Sequence, residues 1–263
     1  MGVDGTKIVH DFTLEKYREL CETLLDSDYI PLTVYDYLRK KNSEEKISHN
    51  IVVLRHDVDR KPHNALRMAE LENLMGIQST YYFRYPYTFK TEIVQEVQKL
   101  KHEIGYHYEV FAKTKGDPEA AIQLFSQELK AMRDICNIRT ICMHGSPLSK
   151  FDNRNLWQYY NFMDFGIIGE AYISMTNLFY LTDTGRSWNF KHSMRDRFEK
   201  NILGDKPETT DDLIDIISSE KYSPIYLTTH PERWSSNSIG FFQGFIQDFI
   251  FNLGKSVLSG IRK

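Results

Sequence analysis

The chain has 263 residues, enough for a large core, and its 41% hydrophobic and 26% charged residues are an ordinary soluble, globular composition. A formal net charge of −3 gives no bulk electrostatic case for binding nucleic acid. Three cysteines, Cys21, Cys136 and Cys142, form no CxxC pair, and their odd number argues against a disulfide framework.

The opening Met-Gly-Val-Asp-Gly-Thr lacks the basic and apolar regions of a signal peptide. It fits the loose Gly2/Thr6 myristoylation pattern. No stretch is long and apolar enough to cross a bilayer. These features read as a cytoplasmic protein. Thr13 is placed to cap a helix over Leu14 to Leu25, and Thr33 to cap a second helix carrying Tyr35, Leu38 and the basic end Arg39-Lys40-Lys41. Asn42 to Asn50 reads as a loop. Ile51-Val52-Val53-Leu54 is a short continuous apolar run, the pattern of a strand buried on both faces, and it leads directly into Arg55-His56-Asp57-Val58-Asp59.

Pro62 suits the first turn of a helix to about Met75, which Gly76 ends. Gln78 to Arg84 is rich in β-formers and reads as a second strand. Thr91 to Lys101 follows as a helix with Ile93, Val94, Val97 and Leu100 on one face. Glu103 to Glu109 reads as a third strand, Pro118 to Ile135 as a long helix capped by Asp117, and Arg139 to His144 as a fourth strand. Gly166 to Ala171, Leu178 to Thr182 and Ile225 to Thr229 are further strand candidates, with a helix from Thr210 to Ser219. Phe242, Phe245, Phe249, Leu253 and Val257 recur at helical spacing near the end. They read as a helix packed on the body, with a dimer contact or membrane-surface helix as the alternatives.

Strands alternating with helices imply a parallel α/β sheet with right-handed crossovers. The number of units favours a (β/α) barrel, incomplete, over an open sheet. In such folds functional groups gather at the C-terminal ends of strands. Here Asp57 and Asp59 follow the first strand, His107 and Glu109 end the third, and His144 ends the fourth. Asp183 follows a later strand, and His230 ends the last.

Asp57 and Asp59, two apart on extended backbone, share a face. A cation bound by one leaves the other to act as a base; a pair of capping or turn carboxylates is the plainer alternative. His107 and Glu109 are ordinary ligands for zinc and similar ions. His144 is equally readable as a ligand, as a substrate or Asp57 contact, or as a structural turn residue. His230 at a strand end suits a general acid. His10, His49, His63, His192 and the pair His102-Glu103 read as surface or loop residues. The sixteen Tyr and sixteen Phe fill cores and also stack on sugar rings, a modest pointer toward carbohydrate.

The order of these motifs resembles the polysaccharide deacetylase family, the NodB-homology carbohydrate esterases (family 4). The counterparts are His56-Asp57-Val58-Asp59, His102 to His107, His144-Gly145-Ser146-Pro147, Asp183 to Trp188, and Leu227 to His230, spanning roughly Ile51 to Trp234 of a single domain. The resemblance implies a distorted, incomplete barrel and hydrolysis of an acetyl group from an N-acetylated sugar, a non-peptide C–N bond. It implies Asp57 as base and His230 as acid supported by Asp183. Asp59 and His107 would hold a divalent metal, zinc first and manganese or iron as alternatives, with Trp188 lining the pocket.

Two departures matter. The family's second metal histidine lies four residues after the first, and that position here is Phe111. Glu109 is the first choice for the missing ligand and His144 the second. The family's arginine is also absent from the third motif, leaving Arg55 and Arg84 as the cations to hold Asp57 or meet substrate. The expected partner is a carbohydrate, lipid- or nucleotide-linked in the fuller reading. The alternatives are hydrolysis of another amide or a phosphoester, and a catalytically degenerate carbohydrate-binding relative.

Overall fold

The computed structural model describes residues 10–43, 50–146, 149–188 and 204–235. Eight parallel strands and seven α-helices are described. They are α1 (Leu14–Asp26), β1 (Ile30–Leu32), α2 (Val34–Asn42), β2 (Ile51–Val58), α3 (Pro62–Leu74), β3 (Thr80–Phe83), α4 (Thr91–Lys99) and β4 (Glu103–Tyr108). There follow α5 (Val110–Lys113), α6 (Pro118–Arg133), β5 (Thr140–Met143), β6 (Gly169–Glu170), β7 (Phe179–Thr182), α7 (Thr210–Ser218) and β8 (Ile225–Thr229).

The caps behave as their residue types require. Thr13, Thr33 and Asp117 accept backbone N–H groups at the starts of α1, α2 and α6. Thr209 and Asp212 form a reciprocal capping box at α7. Pro62 opens α3, and Gly76, at φ +73°, lies just beyond its end. The apolar C-terminal segment, His49, His192, Pro147 and the N-terminal myristoylation pattern lie outside the described residues.

The strand order is β6-β5-β4-β3-β2-β8-β7, with β1 paired to the first half of β2. Ile30, a short edge strand's first residue, pairs Ile51, an element the sequence pattern did not mark. The edges β6 and β7 do not pair with each other, so the barrel is incomplete. It is nonetheless curled. The Tyr226 hydroxyl on β8 donates to the Ala171 carbonyl just beyond β6, at 3.1 Å, and Tyr172 stacks under Arg55 of β2 at 4.3 Å. Among the described residues no helix is long and apolar enough to cross a membrane.

Strand alternation sorts the side chains into two faces. Ile104, Tyr106 and Tyr108 of β4 point outward, the two tyrosines onto Phe125 of α6. Glu103, Gly105 and His107 line the concave side. Gly105 is required there, because a Cβ would stand 2.2 Å from the Tyr82 ring. That ring fills the barrel beneath the site and bonds Thr140 Oγ1 at 2.9 Å.

β2 shows the same division. It runs through Val58 and is buried on both faces along its whole length, so the motif is strand rather than strand-end loop. Arg55 and Asp57 face inward. His56 faces α3, where Glu72 accepts from His56 Nε2 (2.9 Å), Tyr17 (2.5 Å), Ser79 (2.6 Å) and Tyr81 (2.6 Å). His102 joins this network, bonding the Ala69 carbonyl at 3.0 Å and buried at 4% exposure, which corrects its reading as a surface residue. His63 and His10 are exposed as expected.

Candidate active site

All strands being parallel, their C-terminal ends form one rim. Arg55, Asp57, His107 and Cys142 meet just inside it. The Arg55 guanidinium, fully buried, grips Asp57 with Nε to Oδ1 at 2.8 Å and Nη2 to Oδ2 at 2.6 Å. It also donates to the Tyr226 hydroxyl at 3.2 Å and to Cys142 Sγ at 2.7 Å. Burial opposes ionisation of Asp57, but Arg55 and then His107 outweigh it and hold its carboxyl below the ordinary range. Arg55 therefore holds Asp57 in place. At 0% exposure it cannot meet substrate, which corrects its reading as a substrate contact.

Asp59 stands one step farther out, beyond the end of β2. Its Oδ1 is 3.1 Å from His107 Nε2 and 3.6 Å from His144 Nε2. The two imidazoles meet edge to face, centroids 5.3 Å apart. The tautomers follow from their outer partners. His107 Nδ1 lies 3.1 Å from the Cys142 carbonyl, which can only accept, so Nδ1 carries the proton. His144 Nδ1 lies 2.8 Å from Glu109 Oε2, which makes it the donor there too. Both Nε2 atoms face Asp59 Oδ1, a carboxylate oxygen that also accepts, so a cation bound there would take the place of a proton on Nε2.

Glu109 thus has a different place from the one its spacing suggested. The strand ends at Tyr108, and Glu109 is the N-cap of α5, with φ −140° and ψ 24°, so strand alternation no longer aligns it with His107. Arg84 Nη2 takes both its oxygens, at 2.9 and 2.8 Å, and His144 Nδ1 takes one of them. Burial opposes ionisation of Glu109, but His144 and Arg84 bring its carboxyl down to about 2. Arg84 also donates to the Asp59 carbonyl at 3.2 Å, fixing the loop that carries Asp59. Phe111 is buried against Phe151 and Tyr159, away from this cluster.

On the other side of Asp57, His230 Nδ1 bonds Asp183 Oδ1 at 2.6 Å. Asp183, fully buried, also accepts from the His230 backbone (3.0 Å), Arg233 Nη1 (2.7 Å) and Trp234 Nε1 (2.9 Å). Burial opposes its ionisation, but Arg233 and His230 bring it to about 2. His230 is the converse: burial and Arg233 disfavour its charge, yet Asp183, with Asp59 beyond, raises its pKa above 6.5. Trp188 does not line this space. It is fully buried, stacked on Phe12 and donating Nε1 to Thr210 Oγ1 at 3.1 Å, which corrects its expected place on a pocket wall.

Sequence reasoning missed one residue here. Cys142 reads only as a strand thiol, yet its Sγ is 3.8 Å from Asp57 Oδ1, and the ligand atoms of Asp57, His107 and Cys142 all lie within 4.8 Å of one another.

A cation can be placed in two ways. The Asp57-His107-Cys142 position lies against the Arg55 guanidinium, which already satisfies Asp57 and Cys142 and repels a second positive charge. Among the described residues, no arginine or lysine bonds the Asp59 carboxylate atoms at the Asp59-His107-His144 position. Its histidines have their outer N–H groups on a carbonyl and a carboxylate, the usual support for metal-binding imidazoles. With ligands about 2.0–2.1 Å from a zinc-like ion, the 3.1 and 3.6 Å pairs subtend roughly 100° and 120°, either side of tetrahedral. Each pair through Asp59 suits a divalent cation, but the three ligand atoms are not all within 4.8 Å of one another, as those of Asp57, His107 and Cys142 are, so a cation there would require His107 and His144 to draw together.

No family model matches the chain, and no curated protein matches it. Solved structures are similar to it. A CE4 family pseudoenzyme from Bacillus anthracis is 12% identical, covering 75% of this chain and 59% of its own, at a TM-score of 0.43. Its mutant with restored enzymatic activity covers 78% and 63% at 0.44, so the chain spans less than two thirds of either. The Streptococcus pyogenes deacetylase PplD in complex with acetate is 11% identical, covering 82% of this chain and 92% of its own, at 0.49. At these identities the site is read from this chain's own residues.

Proposed function

We propose that the chain is a metal-dependent hydrolase that removes an acetyl group from an N-acetylated sugar, with Asp59, His107 and His144 holding the cation. One observation carries the reading. Asp59 Oδ1 faces two imidazole Nε2 atoms whose Nδ1–H groups are held from behind by a carbonyl and a carboxylate, while an ionised Asp57 and an Asp183-paired His230 stand on either side. His144 fills the role that Phe111 leaves open, and Glu109 serves as its orienting carboxylate. Zinc suits this donor set, and manganese or iron are the alternatives.

A divalent cation bound there supplies Lewis-acid polarisation of the acetyl carbonyl and acidifies water. Asp57, kept ionised by Arg55, accepts the proton of the attacking water. His230, charged through Asp183 and with Nδ1 committed to it, presents Nε2–H to the departing amine, which leaves poorly without a proton. The products are acetate and the free amine. Each proton transfer is worth about 10²–10⁴-fold in rate.

The test is acetate release from a panel of N-acetylated sugars, oligosaccharides and nucleotide sugars, using zinc-loaded and metal-stripped protein. Release that depends on metal and disappears in Asp57→Asn is expected. Zinc-loaded protein that releases no acetate from any member overturns the deacetylase reading.

A further inference from the structure

The opposite, N-terminal ends of the strands hold a second cleft. It has a volume of about 260 Å³ and lies between the start of α2, the end of α4 and the segment leading into β5. Five side chains that carry N–H donors line it: Arg139, Lys101, Gln78, Gln98 and Asn137. Arg139 is the decisive one. It is partly buried, and its Nε is fully buried with no hydrogen-bond partner among the described residues. Its guanidinium carbon lies 5.7 Å from the centre of the Tyr35 ring, another residue of the cleft wall. Among the described residues no carboxylate pairs with Arg139 or with Lys101. The nearby Arg133 adds to the positive charge, its own donors being spent on the Ile138 and Phe165 carbonyls. Burial and then the Arg139 charge lower the pKa of Arg133.

The two carboxylates that line the cleft are engaged elsewhere. Asp36 accepts from Thr33 Oγ1 at 2.8 Å. Glu103 accepts from the Tyr35 backbone at 2.9 Å, from Thr80 at 2.7 Å and from Thr140. Burial raises the Glu103 carboxyl to about 7, so near neutral pH it is only partly charged. A buried donor without an acceptor points to a ligand that supplies one. An oxyanion offers both the acceptor and the charge that this wall lacks, and the guanidinium fork matches a carboxylate or phosphate edge. The volume falls just below that of drug-sized pockets, so the ligand is small. We propose that this cleft binds a small molecule bearing a phosphate or carboxylate group, with Arg139 receiving the anion and Lys101 beside it. The site is separate from the catalytic rim and does not depend on the chemistry proposed there.

The experiment is calorimetric titration of inorganic phosphate and, separately, of citrate into the metal-free full chain at constant ionic strength, with the melting temperature measured alongside. Metal-free protein keeps the cation centre from taking up either anion. Wild type should bind at least one of them and melt at a higher temperature in its presence; the tighter of the two tells a phosphorylated ligand from a carboxylated one. Arg139→Gln should weaken binding about 10–100-fold. Arg139→Lys, which keeps the charge and loses the fork, should fall between Arg139→Gln and wild type. Lys101→Gln, an exposed change that carries the test if the Arg139 variants do not fold, should weaken binding about two- to fivefold. Wild type that binds neither anion at about 10 mM, some tenfold above a millimolar Kd, overturns the inference. So does binding of equal strength in wild type, Arg139→Gln and Lys101→Gln, which would place the anion elsewhere.

Discussion

Asp57 and Asp59 are separated by one residue, and the proposed function gives them different work because their neighbours differ. Arg55 closes on both oxygens of Asp57, leaving it ionised and already satisfied, which suits a base and not a ligand. Asp59 faces imidazole nitrogens instead. Asp57→Asn should therefore lower acetate release by about 10²–10⁴-fold while zinc affinity, measured by chelator competition, moves less than tenfold. Glu109→Gln should do the reverse, costing about 10–100-fold in zinc affinity through misoriented His144. A large affinity loss in Asp57→Asn would place the ion at the Asp57-His107-Cys142 position instead. That the carboxylate pair, His107 and His230 lie on one rim was legible in the sequence, because parallel strands end on the same side. His144 as the better-placed partner was not, because its advantage comes from Glu109 leaving strand conformation one residue early.

Among the elements, β2 holds the site together. Its inner face carries Arg55 and Asp57, and its outer face carries His56 into the Glu72 network against α3. Burial works against Glu72's charge, but His56, His102 and Ser79 bring its carboxyl from 4.5 to about 2. A carboxyl depressed in the folded state stabilises the fold above its unfolded value and loses that contribution as pH falls through the folded one. The shift corresponds to about 3 kcal/mol, present above pH 4.5 and lost toward pH 2. Glu72→Gln should flatten the acid limb of the stability curve over that window, read by urea unfolding at stepped pH. A curve parallel to wild type would remove Glu72 as the acid-sensitive group. The strands, helices and caps were readable from periodicity and from Thr13, Thr33, Pro62 and Asp117. The Glu72 network was not, since Tyr17, His56, Ser79, Tyr81 and His102 come together only through packing of α1 and α3 on the sheet.

The whole molecule is a curled parallel sheet whose open seam falls between β6 and β7, with the chemistry gathered on one rim. Six strand ends, those of β2, β3, β4, β5, β7 and β8, contribute to it, so the pH response of activity belongs to the assembly. His230 has a raised pKa: its charged form is present below 6.5 and is lost as pH rises through the raised value. Activity should fall on the alkaline side, and Asp183→Asn should move that fall to lower pH by removing the partner that raises it. An alkaline limb unmoved in Asp183→Asn would take His230 out of the acid role. The central claim is the location of the cation, and anomalous scattering from crystals of zinc-loaded protein tests it most directly. A single peak bounded by Asp59 Oδ1, His107 Nε2 and His144 Nε2 is the expected result. A peak between Asp57 and Cys142, or none at full zinc loading, would contradict it.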